Sequence, residues 1–420
     1  MAGYLPAAAA ERAAQYAALG LSGPEALYRD VPESVRLTAP LNLPPPQSEL
    51  EARRTLEALA EQNLRFRTIL RGAGAYDHYI PAAVSRIASK EEFVTAYTPY
   101  QAEISQGVLQ SIFEFQTMIC ELTGLDAANA SVYDGASAAA EAVAMCRERK
   151  RTRAVVSAAA HPDVISTIRT YSFGAGTEVA AAPAENGVTD LTGLLDETTA
   201  CVYVQQPNFF GQLEDLPALA AQVHAAGARL IVGVNPVAVG EGQPLGLPLS
   251  WGGPYLGFMA ASQSLMRRLP GRIVGETRDS RGERAFVLTL QAREQHIRRE
   301  KASSNVCSNE ALCALTASVY LSLMGPDGLR QVGEQCHAKA HYLAAELCRL
   351  PGVSLRYPGP FFHEFVTDLP EPQKVLSALE ARGILGGWPV EGGLLWCATE
   401  KQSRAELDEA VSIVKEVLDR

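Results

Sequence analysis

From residue 131 onward the chain alternates short apolar or β-branched runs with helical segments, and this alternation constrains the fold more than any other feature. AVVSAA, a helix from Asp163, EVAAA, CVYVQ, a helix from Leu216 and RLIVGV follow one another in order. Such a rhythm predicts a largely parallel sheet with helices on both faces. Arg229 to Val234 is apolar nearly throughout, as a central strand buried on both sides should be. After a glycine-rich passage from Gly240 to Gly257, LGFMAAS and AFVLTL read as strands that close the sheet.

The segments flanking this core have a different grammar. ELEARRTLEALAEQNLRFRTIL, positions 49 to 70, carries Leu56, Leu59, Leu64 and Ile69 at helical spacing behind a break at Pro40, Pro44, Pro45 and Pro46. A glycine-rich loop runs from Gly72 to Pro81, and a second amphipathic helix spans Gln106 to Leu122 and stops at Gly124. After about Asn309 come two helices, then FFHEFVT and LLWCAT interleaved with helices from Pro372 and Arg404. The expected division is a helical arm and loop region over 1–125, a large α/β domain over 126–308 and a small α/β domain over 309–420.

Composition excludes several classes. With 47% hydrophobic and 20% charged residues the chain can bury real cores, and a net charge of −10 offers no electrostatic footprint for nucleic acid or an anionic membrane. No stretch is expected to reach the roughly 20 apolar residues of a membrane span, and Glu11 and Arg12 interrupt any signal peptide, so a cytoplasmic setting is expected. Eight cysteines lie scattered without a C-x-x-C pair, so free thiols and no metal centre are expected, and Cys336, His337 and His341 read as a solvated helix face. Lysine is rare, and none occurs between Arg151 and Glu300.

Five segments have the residue types for a site. Asp134-Gly135-Ala136-Ser137 sets a turn at a helix start, where free N–H groups bind anions, although an N-cap by Asp134 or Ser137 accounts for the same residues and is the stronger local reading. Asn235-Pro236 follows the central strand, where α/β sheets hold ligands, but an Asn cannot supply the charge that pairs a pyridine nitrogen. The loops GEGQPLG and WGGPYLG are glycine-dense without the order of a dinucleotide fold. Arg298 and Arg299 sit in a basic cluster that suits an anion clamp or a salt-bridged interface. Tyr97-Thr98-Pro99-Tyr100-Gln101 groups aromatic and hydrogen-bonding side chains round a proline turn, fit for core packing or for a ligand mouth.

Taken together, the opening Tyr4-Leu5-Pro6, the loop GAGAYDHYIP, the run YTPYQAEISQG, FEFQTMICELTGLDAANASVYDGAS, GEGQPLGLPLSWGGPYLGF, PGRIVGET and LTLQAREQHIRREKASSN resemble the P-protein family of the glycine cleavage system along essentially the whole chain. The resemblance is to the N-terminal or α subunit of its two-subunit bacterial form, glycine dehydrogenase (decarboxylating) subunit 1. It implies a pyridoxal-phosphate (PLP) dependent transferase fold of the aspartate aminotransferase type, fold type I. It also implies partnership with a β subunit in an α2β2 assembly, decarboxylation of glycine, and transfer of the aminomethyl group to a lipoylated H-protein. The family's division of labour puts the Schiff-base lysine and PLP on the β subunit. In this chain Gln243 falls at the turn where that lysine would stand, and Asn235 at the place of the pyridine-pairing Asp. The resemblance therefore implies no self-contained catalytic set. Tyr97, Tyr100 and Gln101 are expected nearest the partner's cofactor. Gly72, Gly74, Tyr76, Asp77 and His78 should line the entrance, with Gly135, Ser137, Arg298 and Arg299 as anion or interface contacts.

In relatives a further strand separates the equivalents of Pro236 and Gly240, whereas only Val237-Ala238-Val239 lies between them here. A shortened or altered sheet near 235–243, or a loosened site, is the expectation. Two other functions fit parts of the chain: a non-catalytic structural or regulatory subunit, and a self-sufficient PLP aminotransferase or decarboxylase, which the missing lysine opposes.

Overall fold

The computed structural model describes residues 7–37, 39–96, 98–234, 239–250, 252–291, 294–302, 304–306 and 308–419. The chain divides into two compact units, at Leu64 and Arg65. In the first unit, α1 (Ala9–Ala18) and α2 (Glu49–Ala60) are the α-helices. Ser48 caps α2 and Glu51 bonds back to it in a capping box, while none of the α2 side chains is buried. The helix expected over 49–70 ends at Ala60, and the C-terminal part of that run becomes the two-residue strand β1 (Thr68–Ile69).

The second unit begins with α3 (Ala82–Ala88), α4 (Glu91–Val94) and α5 (Gln106–Thr123), whose end is set by Gly124 in the left-handed region. Alternation then follows the sequence: β2 (Ala127–Ala128), α6 (Gly135–Cys146), β3 (Arg153–Ser157), α7 (Pro162–Ala175), β4 (Val179–Ala182), β5 (Thr199–Gln206), α8 (Leu216–Ala225), β6 (Arg229–Val234), β7 (Val239–Glu241) and β8 (Gly257–Ala261). These strands form one sheet in the order β2-β8-β7-β6-β5-β3-β4. The five strands β3 to β7 run parallel, and β8 and β2 are added antiparallel at one edge. Apolar residues on the two sheet faces feed separate cores, one under α6 and α7 and one against α8.

Two sheet expectations need correction. The central sheet keeps seven strands among the described residues, rather than a shortened set near 235–243. What is short is β7, which is three residues long and meets β6 only through Gly233↔Val239 and Val234↔Gly240. Those pairs still cover the edges of β6 and β8, and this is why the sheet survives. AFVLTL does not close the sheet. It forms β10 (Arg284–Thr289), which pairs with β9 (Ile273–Arg278) in a separate antiparallel hairpin whose Val274 and Phe286 pack with Leu109 and Ile112 of α5.

After the short α9 (Gln295–Arg298), α10 (Ala311–Leu347) breaks at Gly325, which has φ +58° before Pro326. Contrary to expectation, α10 is long and apolar enough by length and composition to cross a membrane, the one such helix among the described residues. In this fold its first half packs in the core of α5 and β8 and its second half in the core of the C-terminal elements. Those elements are β11 (Ser354–Leu355), β12 (Glu364–Asp368), α11 (Pro372–Glu380), β13 (Ile384–Leu385), β14 (Trp388–Val390), β15 (Gly393–Cys397) and α12 (Arg404–Leu418). A four-stranded sheet β11-β12-β15-β14 forms their centre, and β1 pairs with β13 beside it.

The short strand can be tested at Gly240. A Cβ there would stand 2.0 Å from the Val234 carbonyl oxygen, which is backbone and cannot rotate away. Gly240→Ala is expected to lower the unfolding free energy by about 2–4 kcal/mol, measured by urea denaturation, by forcing β7 off β6.

Candidate active site

The C-terminal ends of β3, β5 and β6, the start of α6 and the loop around Gly74 enclose a cavity of about 410 Å³. Its walls include Gly74, Tyr76, Asp134, Gly135, His161 and Tyr203. This is the position at which an open α/β sheet holds its ligand. Of the residues expected from sequence, Gly74, Tyr76 and Gly135 are brought together here.

At the helix start the structure shows the N-cap. Asp134 is the N-cap, accepting from the Ser137 N–H at 2.7 Å. The Gly135 N–H, the group an anion would seek, donates instead to Glu241 Oε2 at 3.0 Å. Glu241 Oε1 accepts from the Gln243 and Leu256 N–H groups, each at 2.9 Å. Burial pushes the Glu241 pKa above the ordinary carboxylate value, against the pull of those three N–H bonds.

Gln243 is fully engaged. Its Oε1 accepts from the Tyr76 N–H at 2.9 Å, and its Nε2 donates to the Tyr76 and Leu247 carbonyls at 2.9 and 2.8 Å. The side chain is 1% exposed. A lysine there would offer donors only and leave the Tyr76 N–H without an acceptor. The position taken by Gln243 is therefore occupied by a structural bridge.

That bridge is one of several ties on the loop from Gly72 to Tyr79. The Tyr76 hydroxyl donates to Glu364 Oε2 at 2.6 Å, and the Ala73 N–H donates to Glu364 Oε1 at 2.7 Å. Asp77 pairs with Lys401 at 2.6 Å, His78 meets Glu400 at 2.7 Å, and the Tyr79 N–H donates to the other Glu400 oxygen. His161 caps α7 by accepting the Asp163 N–H at Nδ1, so its Nε2 carries the proton and donates to the Ala73 carbonyl at 2.9 Å. Gly74, at φ +100°, lies so close to that ring that a Cβ would stand 2.8 Å from Nε2.

Burial pushes the Glu364 carboxyl up to about 7, while the Tyr76 hydroxyl and the Ala73 N–H pull it down. His363, packed edge-on against Tyr76 at 4.6 Å, is 3% exposed with neither ring nitrogen bonded, and burial lowers its pKa to about 3. Cys336 is buried, against the expectation of a solvated face, and lies with His78 and Glu400 within 4.8 Å. Glu400 accepts from His78, Tyr79 and Cys336, and Lys339 donates to its main-chain oxygen. Burial raises the Glu400 pKa, but the His78 bond and charge outweigh it and hold the carboxyl at about 2.

Other expected residues lie elsewhere. Tyr97 and Asn235 fall outside the described residues. Tyr100 is half exposed and covers the buried Arg272, whose guanidinium donates to the Tyr100 hydroxyl and stacks 4.3 Å from the ring centroid. Gln101 is exposed. Arg298 and Arg299 are exposed and line no part of the cavity at Gly135; Arg299 borders a separate cavity of about 290 Å³ beside Glu141. Sequence reasoning missed His161, Tyr203, Glu241 and Glu364. His161 follows strand β3 at the end where ligands bind, and Glu241 is the only charged residue between Gly240 and Gly257, so both had a signal.

The fold is that of the PLP-dependent enzymes of fold type I. A C-DES mutant with glycine covalently linked to its PLP cofactor shares it, at a TM-score of 0.61 and 13% identity over 87% of this chain and 99% of that one. A far closer match is the crystal structure of glycine decarboxylase (P-protein) of the glycine cleavage system in inhibitor-bound form, with a TM-score of 0.92 and 41% identity over 99% of this chain and 100% of that one. The probable glycine dehydrogenase (decarboxylating) subunit 1 of Moorella thermoacetica is 49% identical over 442 aligned residues, covering 99% of each chain. The Glycine cleavage system P-protein family matches residues 2–414. This chain belongs to that family.

PLP needs an anion cradle for its phosphate and a lysine for its aldehyde. In this chain Glu241 occupies the cradle and Gln243 is committed to the Tyr76 backbone, so the residues of its own cavity do not fit the cofactor.

Two outcomes follow. Gln243→Ala orphans the Tyr76 N–H and two buried carbonyls and should lower stability by about 3 kcal/mol or more, with faster hydrogen exchange confined to the 72–79 loop. Glu364 is protonated more readily folded than unfolded, so its contribution is fully present below about 4.5 and is lost as pH rises through about 7. Wild type is therefore expected to lose up to about 3 kcal/mol relative to the non-titrating Glu364→Gln variant between pH 5 and 8, read from paired denaturation curves.

Proposed function

We propose that this chain is the α subunit of a two-subunit glycine decarboxylase, with PLP held by a β subunit and the catalytic site completed across the α–β interface. The observation that carries this reading is the pair Glu241 and Gln243, which leaves a fold type I cavity without a phosphate cradle or a cofactor lysine. The names of the full-length relatives, which are subunits numbered 1, support a separate partner. Held by the partner, PLP supplies the sink for the electron pair left when the glycine carboxylate departs. The aminomethyl group then passes to the lipoylated H-protein, in an α2β2 assembly in the cytoplasm. The described cysteines are all free thiols, in keeping with a reducing compartment.

In this scheme the chain's own residues bind and position. Tyr100 and Gln101 face the partner's site, with Arg272 fixing the Tyr100 ring from behind. Tyr97 belongs to the same run. The loop from Gly72 to His78 forms a stiff wall at the entrance, since its ties to Gln243, Glu364, Glu400 and Lys401 leave it little freedom. Arg298 and Arg299 are exposed and suit charge pairing across the interface.

The purified chain should show no exchange of glycine carboxylate with CO2, and addition of a β subunit should restore it. Exchange by this chain alone would overturn the proposal. Gln101→Ala, at an exposed position, should leave the melting temperature within about 1 °C while lowering exchange by the assembled complex about tenfold.

A further inference from the structure

We propose that Glu241 is an internal stand-in for the cofactor's phosphate: it fills the anion cradle at the start of α6, keeps phosphorylated ligands out of this subunit, and ties the cradle together in their place. This rests on the reading that PLP is held by the partner.

The start of a twelve-residue helix presents free N–H groups and the positive end of its dipole, which is where α/β folds hold phosphates. Here Glu241 takes the Gly135 N–H and Asp134 takes that of Ser137. The second Glu241 oxygen takes N–H groups from Gln243, in the turn after β7, and from Leu256, just before β8. One carboxylate thus ties its own turn at Gln243 to the helix start and to the approach to β8, much as a bound phosphate joins the loops that grip it. The fit is close: a Cβ on Gly135 would lie 2.9 Å from the Glu241 nitrogen, so the short β7 presses against the helix start and aims its side chain at the cradle.

A second, independent feature points to a ligand position in the same cavity. Tyr203 is 3% exposed and lines this cavity, yet its hydroxyl has no hydrogen-bond partner among the described residues. Gly233 gives it room, since a Cβ there would stand 2.0 Å from that oxygen. The cavity retains a polar group addressed to a ligand while its anion cradle is closed from within. Its described lining includes Asp134, Asp163 and Glu241 and no Lys or Arg, so a phosphate would meet like charge as well as an occupied site.

The test is a phosphate titration of the full chain at constant ionic strength, read as melting temperature and as 31P line broadening. Wild type should be indifferent to inorganic phosphate. Glu241→Ala should melt lower, then gain about 1 °C or more with saturating phosphate and bind it about tenfold or more tightly than wild type. If Glu241→Ala does not fold, Glu241→Asp keeps the charge but is too short to reach all three N–H groups, and should show the same response in weaker form. A wild type that responds as strongly as the variants, or variants that fold and ignore phosphate, would overturn the proposal. A lysine-bound cofactor on the isolated wild-type chain would instead overturn the reading it rests on, and that result is separate because the titration uses neither cofactor nor partner.

Discussion

The three backbone bonds of the Glu241 carboxylate are the constraint on which the rest of the site depends. They fix the start of α6 against β7 and the turn that carries Gln243. Gln243 in turn holds the Tyr76 backbone, and the Tyr76 hydroxyl reaches Glu364 on β12. A continuous run of hydrogen bonds therefore links the interior of the large sheet at β7, the 72–79 loop and the four-stranded sheet. Each member is largely withdrawn from water, so each bond is hard to replace once broken.

The same run explains why one substitution cannot make this cavity a cofactor site. An amide at 243 serves as acceptor and donor at once, and a lysine serves only as donor. A lysine there would also bring a charge into a position that is 1% exposed. The two residues support one another: the carboxylate gathers N–H groups at the helix start, in its own turn and before β8, and the amide holds the loop through the Tyr76 backbone. A cavity built this way is rigid without a cofactor, which suits a subunit that presents a fixed surface to a partner.

Much of the fold was legible because helix and strand periodicity are local. The apolar run Arg229 to Val234 is a central strand, and the rhythm from β3 to β6 is that of a parallel sheet. AFVLTL was misplaced because a hairpin strand and a sheet-closing strand share the same apolar pattern, and only its pairing with Ile273–Arg278 tells them apart. A shortened or altered sheet near 235–243 was expected from spacing; the sheet keeps seven strands, with the three-residue β7 between β6 and β8. At the site, the lack of lysine between Arg151 and Glu300 is plain in the sequence, but the long-range bonds are not: Gln243 meets Tyr76 across 167 residues, and Tyr76 meets Glu364 across 288. Glu241 carried a sign of its own, as the lone charge in a passage of glycine, proline and apolar residues.

The account stands on the claim that PLP is attached to the partner and never to this chain. Borohydride reduction of the assembled complex, followed by mass mapping of both subunits, tests it most directly. The account predicts one reduced phosphopyridoxyl group for each α–β pair, all of it on a lysine of the β subunit. A stoichiometric phosphopyridoxyl group on any lysine of this chain would contradict it.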